Sequence, residues 1–260
     1  RYLNRQSIND VELGDCVEKN MSILFSDVRA FTSLAESKSP SEIFHFMNDY
    51  LKIVGPVVRE NHGFIDKYIG DAIMALFEKS PRHAVWAGIK MLERLEVYNS
   101  GLIKKGIPAI RIGIGLNTGR VMIGTLGEAN RMESTVISDA VNLASRLEGL
   151  TKVYGVSFLI SQYTLDQLDP REFKIRIIDK VAVKGRQQAV LIYEIYDGDS
   201  PAEITGKNAT KKLFEQGWYL YQDMAFEQAL ISFKQCQQIY PEDNVARLYI
   251  ERCQSMITSN

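Results

Sequence analysis

The stretches FSDVRAFT at residues 25–32 and KYIGDAIMALF at residues 67–77 decide how this chain is read. In each, an apolar run short enough for a buried strand delivers one aspartate, Asp27 or Asp71, with small or polar residues around the carboxylate. Residues 64–69 and 72–77 read as two short strands with Gly70-Asp71 at the turn, which sets Asp71 at a hairpin tip. Asp27 closes the strand expected over Asn20–Asp27. Two such carboxylates can share hard divalent cations, because Mg2+ takes one or two protein carboxylates and completes its shell with phosphate and water oxygens. A lone loop aspartate is ordinarily a turn or cap residue. The pair in these surroundings points to a nucleotide.

Working outward, Ser39-Pro40-Ser41-Glu42 supplies an N-cap, a proline at the first helical position and a glutamate at the third, so a helix starts there and runs toward Gly63. A second helix is expected at about 82–100 and a third at about 138–149. Strands are expected at 109–117 and 120–125 with Asn117-Thr118-Gly119 as the turn between them, then near 156–160, 173–181 and 189–196. This mixture predicts an α+β fold, an antiparallel sheet with helices on one face. Gly113, Gly115 and Gly119 have the wrong spacing for a dinucleotide fold, and no G-x-x-x-x-G-K-[ST] loop occurs.

The 260 residues suffice for one large domain or a domain with a small appendage. Thirty-one basic side chains face 32 acidic ones, so no global field draws the chain to nucleic acid or anionic lipid, and phosphate binding has to be local. Cys16, Cys236 and Cys253 have no metal-like spacing and suit a reducing compartment, so a cytoplasmic location is expected. No apolar run long enough for a membrane span occurs, and the chain begins with Arg1, as expected of a piece of a longer polypeptide.

Residues 1–18 read as a connector and residues 197–209 as a polar linker. Beyond it, Gly217, Ala229, Phe233 and Pro241 fall at the spacing of a tetratricopeptide-like segment over 210–260. One such repeat cannot bury its face alone. It must dock on the preceding domain, bind a protein partner or belong to a longer array.

The two opening segments, with STVISDAVNLASRLE at 134–148, resemble the class III nucleotidyl cyclases in the right order, over a catalytic domain at 19–196. The resemblance implies a ferredoxin-like, palm-type fold and cyclisation of a nucleoside triphosphate with loss of pyrophosphate. It makes Asp27 and Asp71 the ligands of two divalent cations, Mg2+ with Mn2+ able to substitute, and Phe31 and Thr32 part of a phosphate cradle. Lys67 and Thr135 would read the base. A lysine donates and a threonine hydroxyl accepts, which fits adenine better than guanine. That threonine resembles the one in bicarbonate-responsive adenylyl cyclases. Asn142 and Arg146, four apart on one helical face, would hold the ribose and meet charge on the α-phosphate. Arg120 and Lys184 would meet the β- and γ-phosphates.

The resemblance further implies a head-to-tail homodimer acting on ATP, with the metal aspartates and Arg120 from one subunit and Lys67, Thr135, Asn142, Arg146 and Lys184 from the other. A guanylyl cyclase is the nearest alternative. A catalytically idle dimerisation or nucleotide-sensing module is the alternative from another class, and the presence of both aspartates, Asn142 and Arg146 argues against it.

Overall fold

The computed structural model describes residues 14–36, 38–128, 131–182 and 189–259. It contains, in order, β1 (Cys16–Val28), α1 (Phe31–Glu36), α2 (Pro40–Glu60), β2 (Phe64–Ile69), β3 (Ala72–Phe77), α3 (Pro81–Ile103), β4 (Ile112–Glu128) and β5 (Arg131–Ile137). There follow α4 (Asp139–Tyr154), β6 (Phe158–Ser161), α5 (Gln162–Leu165), β7 (Ile175–Val181), β8 (Val190–Ile195), α6 (Pro201–Gln222), α7 (Phe226–Ile239) and α8 (Asn244–Thr258). The eight strands form one sheet in the order β2-β3-β1-β4-β6-β8-β7, with β5 added to the far half of β4. The expected α+β class holds, and β2 and β3 fall on the expected residues.

Several details of the expected arrangement need correction. The sheet is antiparallel except where β4 meets β6 in parallel, and helices cover both faces. Leu24, Ile73, Ala75 and Ile114 point into a core shared with α2 and α3, while Ile23, Phe25, Met74 and Leu76 point the other way toward Ala140 and Ala144 of α4. Strand alternation produces the two sets.

The turn expected at Asn117-Thr118-Gly119 does not form, since β4 runs straight through it. The polar side chains there are satisfied in the interior. Asn117 donates to the Ala140 carbonyl at 3.0 Å and accepts from the Ser161 hydroxyl at 2.6 Å, and the Thr118 hydroxyl meets those of Ser22 and Thr164.

Most of the span read as a linker at 197–209 is the first part of α6. Ser200 caps that helix through a capping box with Glu203, the same device that Ser39 and Glu42 build at α2. At the other end, residues 16–18 of the expected connector already belong to β1, and residues 1–13 lie outside the described residues.

The C-terminal helices dock on the sheet. Phe214, Trp218, Phe233 and Tyr249 share one core with Leu143 and Leu147 of α4, Ile177 and Ile178 of β7 and Ile192 of β8. The Phe233 ring lies against Gly217. Charge is buried in this seam. Fully buried Arg176 donates to Glu194 at 2.5 Å and to both oxygens of Asp243, and Lys207 donates to Glu194 at 2.6 Å and to Asp199. Among the described residues no helix is long and apolar enough to cross a membrane.

Candidate active site

β1 and the β2–β3 turn bring their aspartates to one place. Strand β1 lies between β3 and β4, so its end emerges beside the Gly70-Asp71 turn, and the Asp27 and Asp71 carboxyls come within hydrogen-bonding reach of each other. Burial, then the facing Asp27, pushes the Asp71 carboxyl up to about 6. The Val28 amide donates to Asp27 Oδ1 at 3.1 Å and helps hold its orientation. After Asp27 the chain turns sharply into α1 through Ala30, whose φ of 55° is a left-handed conformation unusual for alanine.

Both aspartates line a cleft of about 570 Å3 together with Phe31 and Thr32, so four of the expected site residues converge within one chain. The cleft also holds two arginines that the sequence reading did not single out, Arg29 and Arg111. The Arg111 carbonyl accepts from the Arg29 amide at 2.8 Å, which joins the residue just before β4 to the loop after β1. Arg111 was hidden because a lone arginine ahead of a strand carries no motif. Its place shows only once β4 is registered against β1, with Asp27 opposite Gly113.

The same register removes Arg120 from this cleft. Arg120 pairs with Asn20, seven residues along the strand from Asp27 and so roughly 23 Å away. It is exposed beside Glu18 at 3.4 Å and lines a separate hollow with Asn20, Ser138 and Asp139. The expectation that Arg120 joins the metal aspartates of its own chain is therefore corrected: a straight β4 carries it to the opposite end of the sheet.

The remaining expected residues do not line the cleft. Lys67 sits on edge strand β2 with its ammonium 3.4 Å from Asp66. Thr135 lies on β5 opposite Gly124. Asn142 and Arg146 occupy the exposed face of α4, and among the described residues neither side chain has a hydrogen-bond or ion-pair partner. Lys184 lies outside the described residues.

The donor set fits hard divalent cations. Two carboxylates face each other, and burial followed by the facing Asp27 makes Asp71 resist ionisation. Among the described residues no group of three or more His, Cys, Asp or Glu forms a closed metal cage. An open pair is what Mg2+ requires when a ligand's phosphates finish its shell.

Comparison with known proteins identifies the class of domain that carries this carboxylate pair in its cleft. The adenylate and guanylate cyclase catalytic domain family matches residues 16–196, and the chain belongs to that family. The terminal-differentiation-specific adenylate cyclase of Dictyostelium discoideum is 40% identical over 253 residues, 95% of this chain and 12% of that protein. That likeness continues past residue 196 into the C-terminal helices. The adenylate cyclase of Anabaena cylindrica is 47% identical over 197 residues, 73% of this chain and 39% of that protein. The chain thus spans well under half the length of these relatives. The crystal structure of the adenylyl cyclase CyaB from P. aeruginosa superposes with a TM-score of 0.61 at 30% identity, over 69% of this chain and 95% of that one.

Proposed function

We propose that this chain is an adenylyl cyclase catalytic unit that converts ATP to 3′,5′-cyclic AMP and pyrophosphate at sites shared between two copies. The observation that carries the reading is the convergence of Asp27 and Asp71 in the cleft that also holds Phe31, Thr32 and Arg111. The two carboxylates would hold the divalent cations. Bound there, such ions supply the positive charge that makes a ribose 3′-hydroxyl nucleophilic and neutralises the triphosphate.

The chain's own residues do the rest. Residues Val28 to Thr32 line one wall of the cleft, and Arg111 takes the β- and γ-phosphate role first expected of Arg120, next to where pyrophosphate leaves. Asn142 places the ribose, and Arg146 meets the charge that builds on the α-phosphate during in-line attack. Lys67 donates to adenine N1 and the Thr135 hydroxyl accepts from the N6 amino group. That pairing, with relatives named as adenylate cyclases, favours ATP over GTP.

Sharing between copies accounts for what a single chain leaves unfinished. Asn142 and Arg146 stand exposed away from the cleft, and Met122, Leu126 and Ile137 expose apolar surface on the neighbouring β4–β5 ribbon. A two-fold partner presenting these groups to the cleft would complete two equivalent sites and bury that ribbon.

The test is turnover by the purified protein with Mg2+ or Mn2+ and each purine triphosphate in turn, the product identified by mass. Cyclic AMP from ATP is expected, with specific activity that rises with protein concentration until dimers form. Preferential cyclic GMP formation, or the absence of any cyclic product, would overturn the reading.

A further inference from the structure

Two residues beyond Asp27, the Arg29 side chain crosses beneath β4 and reaches α4, where its Nη1 donates to Glu148 Oε1 at 3.3 Å. Glu148 lies two residues beyond Arg146. Both members of the pair are largely buried, with side chains 19% and 14% exposed. The second terminal guanidinium nitrogen, Nη2, is buried with no acceptor among the described residues.

The strand between them is cut away to admit the contact. A Cβ on Gly113 would collide with Arg29 Nη2 and with the Thr151 hydroxyl, and one on Gly115 would collide with the α4 backbone at Ala144 and Glu148. Two glycines on one face of a central strand sacrifice strand propensity to bring α4 and this arginine close. Gly113 is also the residue paired with Asp27 across β1 and β4.

A buried ion pair that leaves a donor unmatched is a poor way to stabilise a fold, since apolar residues of similar volume usually do as well or better. We infer that Arg29 and Glu148 form a positioning strut that fixes the loop bearing Asp27 to the helix bearing Asn142 and Arg146. The inference rests on the proposed cyclase reading and deepens it. In a head-to-tail pair, Asp27 and Arg146 of one chain serve different composite sites. The strut therefore couples one active centre to the other through a single protomer.

The experiment compares the wild-type protein with Arg29→Met, Glu148→Leu and the double variant. Three readouts are taken: kcat and KM for ATP, thermal midpoint, and amide exchange over residues 139–154 with and without millimolar Mn2+ and no nucleotide. The double variant removes both charges, so it is expected to keep or raise the midpoint. Its kcat should fall at least tenfold while KM stays within twofold. Mn2+ alone should slow exchange in α4 of the wild type and lose that effect in the double variant.

A double variant with wild-type kcat and an α4 that still responds to Mn2+ would overturn the strut. So would a kcat loss that only tracks a falling midpoint. A wild-type protein that makes no cyclic nucleotide would instead defeat the cyclase reading, and the Mn2+-dependent exchange of α4 would still decide the strut.

Discussion

In the seam beneath α6–α8, Arg176 and Lys207 hold Glu194, Asp199 and Asp243 through bonds that close on one another. In the cleft at the end of β1, Asp27 and Asp71 face each other, and Arg29 keeps one buried nitrogen without an acceptor among the described residues. The seam partners both of its buried cations within the chain, as a structural joint should. The cleft leaves charge of both signs short of partners, as a site awaiting ligands should. Substitutions should therefore divide cleanly, costing activity in the cleft and stability in the seam.

The largest effect is expected from Asp71→Asn. It removes half of the carboxylate pair, so turnover should fall by about 10²–10³ or more, the scale for losing a principal electrostatic element of a site. The thermal midpoint should hold or rise, because a buried carboxyl facing a like charge is relieved. A large drop in the midpoint would break the comparison by giving the pair a structural task.

Arg176→Met is the counterpart in the seam. It strips Asp243 of its cation inside a fully buried cluster, which should cost about 3–5 kcal/mol of stability. Chemical denaturation measures it, and activity per folded molecule should persist below the new transition. The cluster also predicts a pH dependence. Three carboxylates share two cations there, and burial, with Lys207 pulling the other way, pushes Asp199 up to about 7. The folded chain then keeps a proton that an unfolded aspartate releases near pH ~4. This contribution is intact at low pH and is lost as pH rises toward about 7. Midpoints measured across that window should decline, and Asp199→Asn should flatten the slope.

Arginines at the two ends of β4 sharpen the comparison within the catalytic unit. Arg111→Ala should cost turnover about tenfold to a hundredfold, since the residue lines the cleft. Arg120→Ala, at the far end beside Glu18, should change it far less. Steady-state kinetics on the two variants settles the order, and the reverse order would restore the expectation drawn from the sequence.

What could be read before the structure depended on how local each signal was. Asp27 and Asp71 were legible because each sits at the end of a short apolar run next to turn chemistry, and Ser39 was legible as a cap. The matching cap at Ser200-Pro201-Ala202-Glu203 was equally present in the sequence, but the polar residues after it were read as a linker. Lys207 is buried there for reasons of partnership that no hydropathy pattern records. Asn117 and Thr118 look like a turn because they are polar, and their partners Ser22, Ser161 and Thr164 are distant in sequence. Arg111 enters the cleft by strand register alone.

The smallest expected effect concerns the loop itself. Ala30 holds a φ of 55° between Asp27 and α1, a conformation that costs an L-residue about 1–2 kcal/mol and glycine almost nothing. Glycine gives part of this back through greater freedom in the unfolded chain. Ala30→Gly should therefore stabilise the protein by about 0.5–1 kcal/mol and raise the midpoint by about 1–3 °C. If the backbone path is set by the Arg29 amide on the Arg111 carbonyl and by the Val28 amide on Asp27, turnover should stay within about twofold, because those anchors survive the change. A tenfold loss of turnover with a raised midpoint would mean that the alanine's strain itself holds Asp27 in place. The cleft would then differ from the seam in its backbone as well as in its charges.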